Sequence, residues 1–323
     1  MNSPKPSYLK TIIFGALTVL ISTTFCFGQS KTEKLDELLN QYVDYGKFNG
    51  SVLVADQGNV VYKKGFGMAN MEWDIPNKPN TKHRLGSVSK QFTAMLILQL
   101  VAEGKIDLQA PITTYLPDYP KKNGDKITTH HLLTHTSGIP NYTAFPNFFK
   151  DNSRNPYTPA EFVKKFDDKE LEFTPGEKFN YSNSGYFLLG VLIEKLSGKT
   201  YEEMLHEKIF TPLAMYDSGY DNHNDILKNR ATGYEKNGTS FVNSAYLDMS
   251  IPYAAGSLYA TVEDLYLWDQ ALYTTTLLPQ KYMDLYFKPY IPAFGNLQYA
   301  YGWMVGNESI GSSNFSWWRY QWF

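Results

Sequence analysis

The stretch from Arg84 to Gly104 reads Arg-Leu-Gly-Ser-Val-Ser-Lys-Gln-Phe-Thr-Ala-Met-Leu-Ile-Leu-Gln-Leu-Val-Ala-Glu-Gly, and it restricts the fold more than any other. Phe92, Met95, Leu96, Leu98 and Val101 recur at helical spacing, and Gly104 is placed to terminate the helix. A helix this apolar belongs in the interior of a protein. Its head is polar: Ser87 falls at or next to the helix N-terminus, and Lys90 follows three residues later on the same face.

That spacing carries chemistry. A serine hydroxyl is a weak nucleophile until a neighbour takes its proton. A buried lysine can take it, because desolvation lowers the amine's pKa and makes the neutral form accessible. The first turn of a helix also offers free backbone N–H groups to developing negative charge. Taken alone, Ser-x-x-Lys has a plain alternative, an N-capping serine followed by a solvated first-turn lysine.

With 43% hydrophobic and 16% aromatic residues among 323, the chain can bury a large core and is not a disordered one. A net charge of −2 without a basic stripe gives no support to nucleic-acid binding. Residues 1–28 read as an export signal: Lys5 and Lys10 supply the basic region, Ile12 to Thr24 the short apolar one, and Cys26 and Gly28 the small residues before cleavage. The apolar run is too short for a confident membrane span. Acylation of Cys26 is the minor alternative, weakened by bulky Phe25 before it. Cleavage after Gly28 leaves a chain without cysteine, hence without disulfide or thiol chemistry, and places it in the periplasm or outside the cell.

Thr32 to Tyr45 has the pattern of an amphipathic helix, and Gly50–Ala55 and Val60–Phe66 that of two strands around a turn. Ile106 to Tyr119 has loop character, and residues 131–140 read as a short helix ending in a turn. Its histidines, His130, His131 and His135, lack a His-Glu-x-x-His pattern or a nearby third ligand, so a structural role is favoured over a metal site. Asn141 to Pro156, polar and aromatic, is expected to be a mobile loop over a cleft. Helix starts are signalled at Thr158, Thr200 and Thr261, and Gln298 to Val305 reads as one strand. The expected fold is one α/β unit, a sheet flanked by helices with a mostly helical insertion and a cleft between them.

A second motif follows at Phe179-Asn180-Tyr181-Ser182-Asn183-Ser184-Gly185, ahead of another apolar helix that ends at Gly198. A tyrosine hydroxyl beside a lysine amine can shuttle protons, and a nearby cation favours its phenolate. An asparagine offers both a donor and an acceptor. Taken singly, Tyr181 reads as core and Asn183 as a helix cap.

Together, Ser87-x-x-Lys90, His131-Leu-Leu-Thr-His-Thr-Ser-Gly138, Tyr181-Ser-Asn183 and Tyr301-Gly-Trp303 resemble the serine β-lactamase and penicillin-binding-protein superfamily. The resemblance is to its class C-like branch, which also holds D,D-carboxypeptidases, D-aminopeptidases and lipase-like esterases, and it covers roughly Leu35 to Val305. It implies a β-lactamase/transpeptidase-like fold with an antiparallel sheet. It implies Ser87 as the acylated nucleophile, Lys90 and Tyr181 as the general-base pair, and Asn183 as the group holding the substrate amide or the Lys90 amine. The Ser87 N–H would supply half of the oxyanion hole. No cofactor or metal is implied, and the substrate would be a small molecule or peptide, cell-wall peptides included, taken by a monomer.

Such proteins carry a third motif, Lys-Thr-Gly or His-x-Gly, on a strand after the Tyr301-Gly-Trp303 region, and neither follows Trp303 here. The chain is therefore expected to be C-terminally truncated or frame-shifted, with residues 29–323 forming one hydrolase domain whose last strands are incomplete. The expected function is an exported serine hydrolase acting through a Ser87 acyl-enzyme on amides, esters or β-lactams. The alternatives are a non-catalytic cell-wall-peptide-binding protein on the same scaffold, or an inactive truncated product. A conventional α/β-hydrolase is disfavoured because no Gly-x-Ser-x-Gly occurs.

Overall fold

The computed structural model describes residues 30–306; the expected export segment and the chain end, where truncation is expected to leave the last strands incomplete, lie outside the described residues. Helix α1 (Lys31–Asp44) opens behind a capping box in which Ser30 and Glu33 satisfy each other's backbone N–H. The expected hairpin follows as antiparallel β1 (Gly50–Asp56) and β2 (Asn59–Phe66), with Gly50 opposite Phe66. Three short strands that the sequence pattern does not signal come next: β3 (Met68–Asn70), β4 (Ile75–Pro76) and β5 (His83–Arg84). A 3-10 turn over Gly86–Val88 then leads into α2 (Ser89–Ala102), which Gly104 ends at φ +72°.

The middle of the chain is helical, as expected: α3 (Lys121–Gly124), α4 (Thr129–Leu133), α5 (Phe148–Asn152), α6 (Pro159–Val163), α7 (Asn183–Ser197) and α8 (Tyr201–Leu205). Thr158 and Thr200 form capping boxes with Glu161 and Glu203. After β6 (Gly219–Tyr220), β7 (Tyr234–Asn237), β8 (Ser240–Asn243) and β9 (Leu258–Ala260), Thr261 caps α9 (Val262–Ala271). Helix α10 (Gln280–Phe287) and strands β10 (Ile291–Pro292), β11 (Leu297–Tyr299) and β12 (Met304–Gly306) complete the described chain.

The expected antiparallel sheet is divided among five small ones: β1-β2, β3-β4, β5-β9-β6, β7-β8 and β10-β11-β12, all antiparallel. Two expectations need correction. Gln298–Val305 is not one strand but the hairpin β11–β12, because Gly302 adopts φ +82° between them. Asn141–Pro156 is not a loose flap. It contains a 3-10 turn and α5, and buries the rings of Tyr142 and Phe148, whose centroids lie 5.1 Å apart with planes tilted by 47°. The Tyr142 hydroxyl also donates to the Ile251 carbonyl. Two such rings bury several hundred Å² of surface, enough to hold the segment down.

Helix α2 is the axis of the molecule. All twelve residues from Ser89 to Leu100 are buried, so this helix has no solvated face. Its polar side chains are each tied to a neighbour. Ser89 Oγ accepts the Leu258 N–H, Gln91 Oε1 accepts the Trp268 indole N–H, and Thr93 Oγ1 donates to the Ala254 carbonyl. Helix α7 packs alongside, and Gly190 lets it approach the 252–256 turn closely. A Cβ at Gly190 would sit 2.3 Å from the Tyr253 ring and 2.6 Å from Ala254 Cβ. Gly190→Ala is therefore expected to destabilise the fold by about 1–3 kcal/mol through overpacking, read as a lower urea midpoint at unchanged slope.

Candidate active site

The site is built at the meeting point of the two helix starts and the 252–256 turn. Gly86 adopts φ +52°, a conformation that only glycine enters at little strain, and so feeds Ser87 into the 3-10 turn. Lys90 follows in the first turn of α2 and is fully buried. Ser182 caps α7, its Oγ accepting the Gly185 N–H, so Tyr181 and Asn183 stand on either side of that cap. The structure thus brings together all four side chains singled out in the sequence: Ser87, Lys90, Tyr181 and Asn183.

Lys90 Nζ lies 3.1 Å from Ser87 Oγ, 2.9 Å from Asn183 Oδ1 and 2.7 Å from the Ala255 carbonyl oxygen. Burial drives the Lys90 pKa well below the ordinary lysine value. A neutral amine has two N–H donors and one lone pair. Asn183 Oδ1 and the Ala255 carbonyl can only accept, so they take the two N–H groups. The lone pair is then left for the Ser87 hydroxyl proton.

The Tyr181 hydroxyl donates to Ser87 Oγ at 2.6 Å. Burial is the largest influence on this phenol and pushes its pKa up; the bond to Ser87 opposes that only in part. The resting group is therefore the phenol and not the phenolate that a nearby cation would favour. Lys90 Nζ lies 4.8 Å from the Tyr181 ring centroid, against the π-face. With Lys90 neutral, Ser87 Oγ accepts a hydrogen bond from Tyr181 and can present its own proton to Lys90.

Three further groups hold this geometry, and of these Gly302 alone stands in a motif named in the sequence. The Ala255 carbonyl is aimed at Lys90 by a turn that the Thr93 hydroxyl anchors at Ala254. Its only sequence signal is a Tyr-Ala-Ala-Gly-Ser run. Asn141 Oδ1 accepts from both the Asn183 backbone N–H, at 3.2 Å, and its amide NH₂, at 3.4 Å, which leaves Asn183 Oδ1 pointing at Lys90. Gly302 lies against the first turn of α2: a Cβ there would sit 2.9 Å from the Lys90 carbonyl oxygen and 3.0 Å from Gln91 Cα. This close approach accounts for glycine in Tyr301-Gly-Trp303.

The histidines have hydrogen-bonding roles. His131 completes the N-cap of α4 through the Thr128 N–H, and His130 Nδ1 pairs with the Tyr301 hydroxyl at 2.8 Å. His135 Nδ1 accepts the Ser182 N–H at 3.1 Å. Among the described residues no cluster of three or more histidines, cysteines or carboxylates is placed to hold a metal, and no helix is long and apolar enough to cross a membrane.

Residues 35–321 match the family described as Beta-lactamase. The chain is 31% identical over 300 residues to penicillin-binding protein 4* of Bacillus subtilis, covering 87% of this chain and 64% of that protein. It is 31% identical over 229 residues to the teichoic acid D-alanine hydrolase of Staphylococcus aureus, covering 70% of this chain and 55% of the relative. Among solved structures it is similar to the D-amino acid amidase of Ochrobactrum anthropi, with a TM-score of 0.74, 27% identity, and coverage of 87% of this chain and 81% of that one. The chain spans between 55% and 64% of the length of these curated relatives. With an α/β fold of this kind and a family match across most of its length, the chain belongs to the beta-lactamase family.

Proposed function

We propose that this chain carries the catalytic centre of an exported serine hydrolase that forms an acyl-enzyme on Ser87 and cleaves amide or ester bonds to D-amino acyl groups. The observation that carries the reading is the donor count at Lys90. Two fixed acceptors, Asn183 Oδ1 and the Ala255 carbonyl, leave a buried neutral amine with its lone pair free for Ser87. The substrate class draws its support from the relatives' descriptions, a D-alanine hydrolase and a D-amino acid amidase.

In the proposed reaction Ser87 Oγ attacks the substrate carbonyl carbon while its proton passes to Lys90 Nζ. The Ser87 N–H, in a first turn with no intrahelical acceptor, serves one position of the oxyanion hole. As the tetrahedral species collapses, the bond to the leaving nitrogen or oxygen breaks. The leaving group departs with a proton delivered through the Tyr181 hydroxyl, and Lys90 returns the proton it took. Water repeats the sequence on the acyl-enzyme, releasing the D-amino acid and Ser87. Export rests on residues 1–28, and intact mass of the cell-envelope form is expected to begin at Gln29.

Incubation with a fluorophosphonate is expected to add one adduct per chain, absent in Ser87→Ala, and D-alanyl esters are expected to release D-alanine with the same dependence on Ser87. A cooperatively melting protein that takes up no adduct would refute the acyl-enzyme and leave ligand capture, measured as saturable binding of a D-alanyl peptide, as the function of the site.

The labelling rate is expected to rise with pH and level off at a midpoint well below the ordinary lysine value of 10.5, because the active form is the neutral amine. Lys90→Ala is expected to lower the plateau by about 10²–10⁴-fold and to remove that midpoint. A midpoint at the ordinary lysine value would mean that Lys90 is not the base.

A further inference from the structure

The reaction above leaves one buried titratable group of the site unused. His135 stands in the middle of the His131-Leu-Leu-Thr-His-Thr-Ser-Gly138 motif, is fully enclosed, and adopts φ +58°, a left-handed conformation uncommon outside glycine. Its backbone carbonyl accepts the Asn180 N–H at 2.9 Å, and its Nδ1 accepts the Ser182 N–H at 3.1 Å. One residue therefore holds the backbone N–H groups on both sides of Tyr181. Its ring lies against the Tyr181 ring, centroids 4.3 Å apart and planes 35° from parallel. The remaining nitrogen, Nε2, lies 3.1 Å from the Tyr299 hydroxyl, and that hydroxyl donates onward to Tyr186, which donates to the Leu133 carbonyl.

These bonds are consistent with only one form of the ring. Nδ1 accepts a backbone N–H, so it is bare. Nε2 then carries the proton of a neutral imidazole and donates it to Tyr299. We propose that His135, as a neutral Nε2-protonated imidazole, is the positioning residue that sets the Tyr181 hydroxyl on Ser87 Oγ. The proposal rests on the acyl-enzyme reading above for its kinetic consequence and on the geometry alone for its tautomer. Burial first, and the Lys90 charge second, keep the His135 pKa well below the ordinary value. A neutral ring in this place adds no positive charge to oppose the ammonium that Lys90 becomes when it takes the Ser87 proton.

The relation to Tyr181 makes the prediction specific. Tyr181 must hold its hydroxyl 2.6 Å from Ser87 Oγ, and misplacing a reacting group by about 1 Å can cost about 10²-fold in rate. His135→Phe keeps an aromatic ring but lacks the Nδ1 acceptor. His135→Asn places an amide oxygen near the position of Nδ1 and tolerates positive φ.

The experiment measures fluorophosphonate labelling of both variants, per mole of protein that melts cooperatively, alongside the ¹⁵N shifts of the His135 imidazole in the unmodified protein. The expected result is that His135→Phe lowers the maximal labelling rate about 10²-fold at unchanged half-saturating probe concentration, with His135→Asn recovering to within about tenfold of the unmodified chain. The ¹⁵N shifts are expected to show a bare Nδ1 and a protonated Nε2 through the neutral range. Equal labelling rates per folded molecule in all three proteins would reduce His135 to a packing residue and overturn the proposal. A His135 ring protonated at Nδ1 would overturn it without any variant, because such a ring cannot accept from Ser182. An unmodified protein that takes no label, yet shows the bare Nδ1, would sink the acyl-enzyme reading while upholding the positioning geometry.

Discussion

The full burial of the Lys90 amine is the constraint on which the rest of the structure depends. Burying an ammonium without a counter-charge is costly enough that the group sheds its proton instead. In its neutral form the amine still needs acceptors for two N–H groups, and the fold supplies them from two separate elements, Asn183 at the head of α7 and Ala255 in the turn before β9. Each acceptor is itself held. Asn141 orients the Asn183 amide, and Thr93 bonds the carbonyl next to Ala255. Among the described residues, Ser87 is left to meet the lone pair. Under the proposed acyl-enzyme reading, the serine owes its activation to hydrogen-bond satisfaction in a dry interior rather than to a charged neighbour.

The same requirement explains why the first turns of α2 carry so many polar side chains inside an apolar core. Ser89, Gln91 and Thr93 would each be a liability if unpaired. Instead they bond Leu258, Trp268 and Ala254 in turn, which ties the central helix to β9, α9 and the 252–256 turn. Two glycines complete the enclosure at points where a side chain cannot fit. Gly190 admits the 252–256 turn against α7, and Gly302 admits the β11–β12 turn against α2. The contacts that pack α2 thus also enclose the point where the amine is held. At the mouth, Ser87 and Tyr181 remain only partly buried.

Much of this was legible in the sequence because it is written locally. The apolar spacing of Phe92 to Val101 identifies α2, Ser-x-x-Lys places both reacting groups on one face of it, and Thr-x-x-Glu marks the starts of α6 and α8. The Tyr181-Ser-Asn183 motif is paired with Ser87 by the family resemblance, and its cap precedes an apolar helix. What was not legible is contact between distant segments. A backbone carbonyl such as that of Ala255 has no residue-type signature, since any amino acid could supply it. Asn141 was absorbed into a polar, aromatic segment whose anchoring by Tyr142 depends on a cavity formed elsewhere. His135 was visible as a motif residue, but its function depends on a positive φ and on two peptide groups more than forty positions away. The protonation of Tyr181 likewise depends on the fold: proximity to a cation is visible in the motif, whereas the depth of burial that outweighs it is not.

The depressed pKa of Lys90 also links the chemistry to stability, with a sign that can be worked out. The unfolded chain protonates this lysine below 10.5, while the folded chain does so only at a much lower pH. Between the two values the unfolded state binds the extra proton, so this group makes folding stability rise with pH across that window. Above 10.5 the amine is neutral in both states and the penalty disappears; below the folded value the penalty has reached its maximum. Between the folded value and 10.5 Ser87 has a free base while the fold still bears part of that penalty, and above 10.5 the base is free at no cost to the fold. The apolar mass of α2 and the rings around it offset a standing penalty at the site, since each fully buried Leu, Ile or Phe contributes about 1.5–3 kcal/mol. A core this large around one amine is what allows the amine to stay dry.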